Sequence, residues 1–289
     1  MSASKSLHLG GGPDAVLLFH GISSGPQELQ FIARGLQRAG YTVRVPVIPG
    51  YSHDNTAIRT TRYREWVDAA LAEFDDLRAS HASVAVGGLC IGAVLSLRVA
   101  AMRSGAVAAL IGLSTTLHYD GWSTPWIRKL LPLAPFVPGA GRIRVRESAP
   151  FGLKDERMRG FIERQMRELG ASDAGAATLR VQDLLEARRL MAAARRGLAD
   201  IAAPTLLLHA REDDAASPRS AFEVATHVAS RRVRCVLLND SYHMISIDRE
   251  KHMVLAEMLE FLGRQRQAGQ AAPANLVSLS QARLRSLSP

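Results

Sequence analysis

Cysteine is nearly missing from this chain of 289 residues: Cys90 and Cys235 are the two present, too few for a disulfide framework. Lysine is scarce too, with four residues (Lys5, Lys129, Lys154 and Lys251) among 36 basic side chains, the rest being arginine. Aromatic residues reach only 6%. No basic helix is interleaved with them, so nucleic acid is not an expected partner despite a net charge of +9. No apolar run approaches the roughly 18 residues of a membrane helix, so no membrane span is expected. The opening MSASKSLHLGGGPD lacks the basic start and apolar stretch of a secretory signal, and the expected location is the cytoplasm. Pairs spaced as HxxxH or CxxC are missing, and no GxGxxG follows a strand-like run. Neither a metal nor any other cofactor is therefore expected.

What is present is a globular composition, 47% apolar and 22% charged, with enough chain for one large domain or two small ones. Short apolar runs alternate with amphipathic stretches, the pattern of an α/β protein with a mostly parallel sheet. Strands are predicted at 15–20, 41–47, 82–86 and 106–113, with helices at 28–38, 62–78 and 91–103 between them. Between Ser114 and Asp200 the alternation breaks. That stretch is rich in proline and carries 15 basic against 10 acidic residues. It reads as an inserted helical cap with helices near 157–168 and 179–196. Strands at 205–209 and 233–238 and helices at 220–227 and 249–264 then resume the rhythm. The expected organisation is a core of residues 1–113 and 201–264, a cap of 114–200, and a flexible tail of 265–289.

The sharpest motif is VAVGGLCIGAVLSL, residues 84–97. A strand runs into Gly88-Leu89-Cys90-Ile91-Gly92 and straight out into a helix, the context of a nucleophile elbow. Glycines two positions either side of the central residue leave room for a strained turn. Cys90 would stand at a helix N-terminus, where backbone N–H groups and the macrodipole favour a thiolate. The competing reading is a small buried apolar residue in a glycine-rich turn. Downstream residues weigh against it. Asp213 and Asp214 follow the strand at 205–209, and His243 follows the strand at 233–238. Nucleophile, acid and histidine thus occur in that order, each just beyond a strand's C-terminal end.

On the segments Leu18-Phe19-His20-Gly21-Ile22 with Pro26, the elbow at Cys90, Leu208-His209-Ala210-Arg211-Glu212-Asp213 with Ser217-Pro218, and Ser241-Tyr242-His243 with Asp248, the chain resembles the α/β-hydrolase superfamily. The nearest branch is the carboxylesterase and monoacylglycerol-lipase-like, serine aminopeptidase S33-type one. The resemblance implies an α/β-hydrolase fold with an inserted cap, and a Cys90–His243–Asp213 triad. Its spacing favours Asp213 over Asp214 as the acid. It further implies an oxyanion hole formed by the N–H groups of Ile22 and Ile91. Two departures stand out: Pro49-Gly50-Tyr51-Ser52-His53 replaces a Gly-His-Gly segment, and cysteine replaces serine.

An S-acyl intermediate keeps the energy of a thioester, so the expected substrates are small-molecule esters or thioesters, with CoA- or carrier-protein-bound acyl groups among the candidates. The expected activity is hydrolysis through an S-acyl-enzyme. The alternatives are acyl transfer to an amine, hydroxyl or thiol, and a non-catalytic binding module. Tyr119, Trp122 and Trp126 are the candidate substrate-binding residues of the cap, and Arg142, Arg144 and Arg146 could meet an anionic group. The oligomeric state has no signature in the sequence.

Overall fold

A computed structural model describes residues 5–271 apart from 23, 51–60, 125–130, 132, 135, 147–148, 170, 173–174 and 177. The first half contains β1 (Leu7–Leu9), β2 (Asp14–Phe19), α1 (Gln30–Arg38), β3 (Thr42–Val45), α2 (Tyr63–Ser80), β4 (Ser83–Leu89), α3 (Ile91–Met102) and β5 (Ala109–Leu113). After it come β6 (Arg144–Arg146), α4 (Glu156–Leu169), β7 (Ala171–Ser172), β8 (Gly175–Ala176), β9 (Thr178–Arg180) and α5 (Val181–Arg196). The chain closes with β10 (Thr205–Ala210), α6 (Arg219–His227), β11 (Val233–Leu238) and α7 (Lys251–Ala271).

Among the described residues, seven strands form one sheet in the order β1-β3-β2-β4-β5-β10-β11. Only the edge pair β1–β3 is antiparallel. Both faces of the central strands β2, β4, β5 and β10 are covered, so these read as nearly continuous apolar runs. The side-chain period of two still sorts them. Ala15, Leu17 and Phe19 of β2 join one core cluster with residues of α2, α3, α5 and α6. Val16 and Leu18 point to the other, with residues of α1, α4 and α7. Large side chains sealed in these layers, such as Trp66 and Phe74, each contribute about 1.5–3 kcal/mol. Helix α3 is apolar almost all round because it is buried on nearly every side.

The expected mostly parallel sheet flanked by helices is thus what the chain forms, with differences in detail. Edge strand β1 escapes the periodicity because it has three residues. Helix α7 runs past the expected end at Arg264 to Ala271; the remaining residues of the expected tail, 272–289, lie outside the described ones. Among the described residues the 114–200 segment adds no strand to the main sheet, but it is not purely helical. It carries two small antiparallel ribbons, β6 with β9 and β7 with β8. Strands of two or three residues are too short to show an alternation.

Helix α5 is part of the main core, burying Ala187, Leu190, Met191 and Ala194 in the same cluster as Leu95 and Val99 of α3. Its buried Glu186 accepts the Tyr63 N–H at 3.0 Å. A carboxylate is thereby placed at the N-terminus of α2, where the helix dipole favours it.

Candidate active site

Parallel strands deliver their C-terminal ends to one edge of the sheet, and the loops there collect the candidate residues. His20-Gly21-Ile22 follows β2, Cys90 follows β4, Asp213 follows β10, and His243 lies in the loop between β11 and α7. At the elbow Cys90 has φ 58° and ψ −120°, a left-handed conformation that a side chain adopts only under constraint. The constraint is visible in its neighbours. A Cβ on Gly88 would stand 2.5 Å from the Gly92 carbonyl carbon, and one on Gly92 would stand 2.1 Å from the Phe19 carbonyl oxygen. Both positions require glycine for close approach. Cys90 donates its own N–H to the Leu113 carbonyl at 3.0 Å, tying the turn to the end of β5.

His243 is buried, and its Nδ1 lies 2.8 and 2.9 Å from the two Asp213 carboxylate oxygens. A nitrogen facing a carboxylate carries the ring hydrogen, which leaves Nε2 as the basic atom. Nε2 has no conventional hydrogen bond among the described residues, and Cys90 acts on the imidazole together with Asp213, while Glu28 and Asp214 interact with its charge. Burial works against a charged imidazole. The Asp213 carboxylate and the Cys90 sulfur outweigh it and hold the His243 pKa well above the ordinary histidine value. Burial likewise works to raise the Asp213 pKa, but the charge of His243 and the hydrogen bonds from His209 and His243 keep it well below the usual aspartate range.

Asp213 is held rigidly. Its Oδ1 accepts the Ala215 and Ala216 N–H groups at 2.9 and 2.8 Å. His209 Nε2 lies 3.3 Å from Oδ2 and 2.8 Å from the Ala216 carbonyl. A carbonyl only accepts, so that nitrogen carries the hydrogen. Asp214, the rival acid, does something different. Its two oxygens accept the backbone N–H groups of His243 and Gly152, at 3.2 and 3.1 Å. Asp248 accepts those of Tyr242, Lys154 and Asp155 at 2.8–2.9 Å. Both carboxylates brace the histidine loop against the 149–155 stretch.

The oxyanion candidates are placed at the expected ends. Ile91 opens α3, so its N–H belongs to the first turn, which has no acceptor within the helix. Ile22 lies two residues past His20, whose Nδ1 donates to the Gly21 carbonyl at 2.8 Å. Tyr119 is half-buried and packs against the core. Trp122 is 60% exposed. Its Nε1 donates to the Glu212 carbonyl at 2.9 Å, and its ring meets Tyr242 edge-on at 5.4 Å. It therefore stands over the acid and histidine loops. Trp126 lies outside the described residues. Arg142, Arg144 and Arg146 are exposed on and beside β6.

Two neighbours of the site were not anticipated from the sequence. The Thr116 hydroxyl, 3.0 Å from the Ser114 carbonyl, also lies 3.5 Å from Cys90 Sγ. The buried carboxyl of Glu28 accepts the Gly21 N–H. Neither sits in a motif that would have pointed to it. No cluster of three His, Cys, Asp or Glu residues fit to hold a metal occurs among the described residues, and no described helix is long and apolar enough to cross a membrane.

Residues 13–250 match the model of the serine aminopeptidase, S33 family. The chain belongs to that family. It is 24% identical over 265 residues to a thermostable monoacylglycerol lipase of Bacillus sp. (strain H-257), covering 91% of this chain and 96% of the relative. A carboxylesterase of Bacillus subtilis (strain 168) is 24% identical over 259 residues, covering 87% and 93%. Among solved structures, one reported for the metagenome-derived lipolytic enzymes LipS and LipT aligns with a TM-score of 0.77 at 21% identity, over 90% of this chain and 98% of that one. The S33 protein described here thus has the α/β-hydrolase fold and is an α/β hydrolase.

Proposed function

We propose that this S33-family hydrolase cleaves a carboxylic ester or thioester through an S-acyl-enzyme formed on Cys90. The observation that carries the reading is the single line of contacts from Asp213 through His243 to a cysteine held at a left-handed elbow. The likeness to a monoacylglycerol lipase and a carboxylesterase supports an acyl ester as the substrate class.

In this mechanism His243 Nε2 takes the Cys90 thiol proton as sulfur bonds to the acyl carbon. Negative charge collects on the former carbonyl oxygen, which the Ile22 and Ile91 N–H groups receive; losing one such donor costs about 3 kcal/mol. Collapse breaks the bond to the alcohol or thiol, which leaves with the proton from His243. Water then gives a proton to His243 and attacks the S-acyl group, releasing the acid and restoring the thiol. Asp213 keeps Nδ1 protonated throughout and stabilises the imidazolium. The 114–200 segment acts as the cap, with Tyr119 and Trp122 bordering the acyl site.

The test is intact-protein mass spectrometry after brief mixing with acyl-CoA and p-nitrophenyl acyl donors. An adduct of the acyl mass that is lost in Cys90→Ala supports the reading. Full turnover in Cys90→Ala overturns it. Added amine or alcohol separates hydrolysis from acyl transfer by the product formed.

A further inference from the structure

Glu28 takes no part in the steps above, yet it sits against the reacting groups. It lies in the short turn Pro26–Leu29 ahead of α1 and is 1% exposed. Its Oε1 accepts the Gly21 N–H, while the Ser24 hydroxyl closes the same loop by donating to the Gly21 carbonyl at 2.9 Å. A Cβ on Gly21 would stand 3.4 Å from Glu28 Oε1 and 3.6 Å from Cys90 Cβ. Gly21 therefore lies between the buried carboxyl and the elbow cysteine. A carboxyl with no exposure needs a reason to be there, since burying one costs several kcal/mol unless it is paired or neutral.

We propose that Glu28 is a positioning residue of this site. Its carboxyl pins the Gly21 N–H so that the next N–H, of Ile22, faces the acyl oxygen. Loss of its proton strengthens the imidazolium form of His243 and with it the attack of Cys90. The proposal rests on the S-acyl reading given above.

Burial pushes the Glu28 carboxyl up to about 7, against the hydrogen bonds from Gly21 and Ser24 and the charge of His243, which pull it down. The attraction is mutual: a positive His243 favours the carboxylate, so the carboxylate favours a positive His243. Among the described residues the titratable groups around Glu28 are His243, which acts on it by charge, Cys90 beyond Gly21, and His20, which precedes Gly21 in the loop; Asp213 and Asp214 act on the same His243. Below neutrality Glu28 is a neutral acid; above it, the site gains a further carboxylate beside those of Asp213 and Asp214.

The experiment is the pH profile of kcat and KM for p-nitrophenyl butyrate, read where phenol and phenolate absorb equally. Native protein, Glu28→Gln, Glu28→Asp and Cys90→Ala are compared. In the native protein kcat/KM should rise through an inflection near pH 7. Glu28→Gln keeps an acceptor for Gly21 but cannot ionise. It should lose that inflection, fall several-fold in kcat at pH 8 and change KM by less than twofold. Glu28→Asp keeps the charge but falls short of Gly21, so kcat should drop while an inflection remains. If Glu28→Gln does not fold, native kcat and an unshifted inflection in Glu28→Asp overturn the proposal. So does an inflection near 7 that survives in a folded Glu28→Gln. Turnover in Cys90→Ala would instead remove the S-acyl reading, so the two failures are distinguishable.

Discussion

Gly92 and Phe19 approach so closely that a Cβ on the glycine would stand 2.1 Å from the Phe19 carbonyl oxygen. The first turn of α3 and the end of β2 are thus in backbone contact, and the His20–Gly21 loop leaves from the same point. Gly92→Ala should therefore do two things. Forced overpacking of this kind typically costs about 1–3 kcal/mol, which thermal unfolding would show as a drop of several degrees. The displaced loop should also lower kcat more than KM, read by steady-state kinetics. A variant with native stability and native kcat would mean that the two segments separate freely.

Asp213 and Asp214 are adjacent in sequence, but one faces the imidazole and the other the backbone of its loop. Asp213→Asn should lower kcat by roughly a thousand- to ten-thousandfold, because the orientation and tautomer of His243 are no longer fixed. Asp214→Asn still offers one acceptor for its two backbone donors and should lose far less. Comparable losses in both variants would contradict the division of roles.

Stability should depend on pH with the same pair. The Asp213 pKa is depressed on folding, so its contribution is present above roughly pH 4, the ordinary aspartate range, and is lost as pH falls below it. The His243 pKa is raised on folding. Its contribution is complete below about pH 6.5 and is lost as pH climbs through the raised value. Urea unfolding across pH should show a maximum between these limits, and Asp213→Asn should flatten both slopes.

Much of this arrangement is legible in the sequence because local constraints are strict there. GGLCIG can be nothing but a tight turn once a strand precedes it and a helix follows. Asp213 and His243 each follow a short apolar run that the structure shows to be a parallel strand of the sheet. What the sequence hides is the contact made between one element and another. Glu28 reads as an ordinary polar position of an amphipathic helix, yet it meets Gly21 across a loop. Glu186 reads the same way but reaches Tyr63, 123 residues away. Thr116 nears Cys90 only because β4 and β5 are neighbours. The 114–200 segment was legible as an interruption, but its ribbons and the burial of α5 depend on partners that no periodicity names.

Glu186 gives a prediction free of the chemistry. Its buried carboxylate holds the Tyr63 N–H and is paired with Arg189. Glu186→Ala should destabilise the fold by about 1–3 kcal/mol, the cost of leaving buried groups unsatisfied, and Glu186→Gln by less. The urea midpoint measures this. An unchanged midpoint in Glu186→Ala would show that water replaces the contact at no cost.

The last prediction concerns the coupling of Cys90 to His243. The sulfur is one of the groups that raise the His243 pKa, so its removal must lower it. In Cys90→Ala the imidazole midpoint, followed by NMR of the His243 ring, should move down from its native position while Asp213 keeps it above that of a free histidine. The direction matters for turnover. On the S-acyl reading proposed above, an acylated sulfur no longer supports the imidazolium, so His243 is a weaker base at the stage where water must give it a proton. The same contact that favours the imidazolium during attack is thereby weakened for deacylation. A midpoint that stays in place in Cys90→Ala would show that Asp213 alone sets the imidazole, and the site would lack this change of base strength between its two half-reactions.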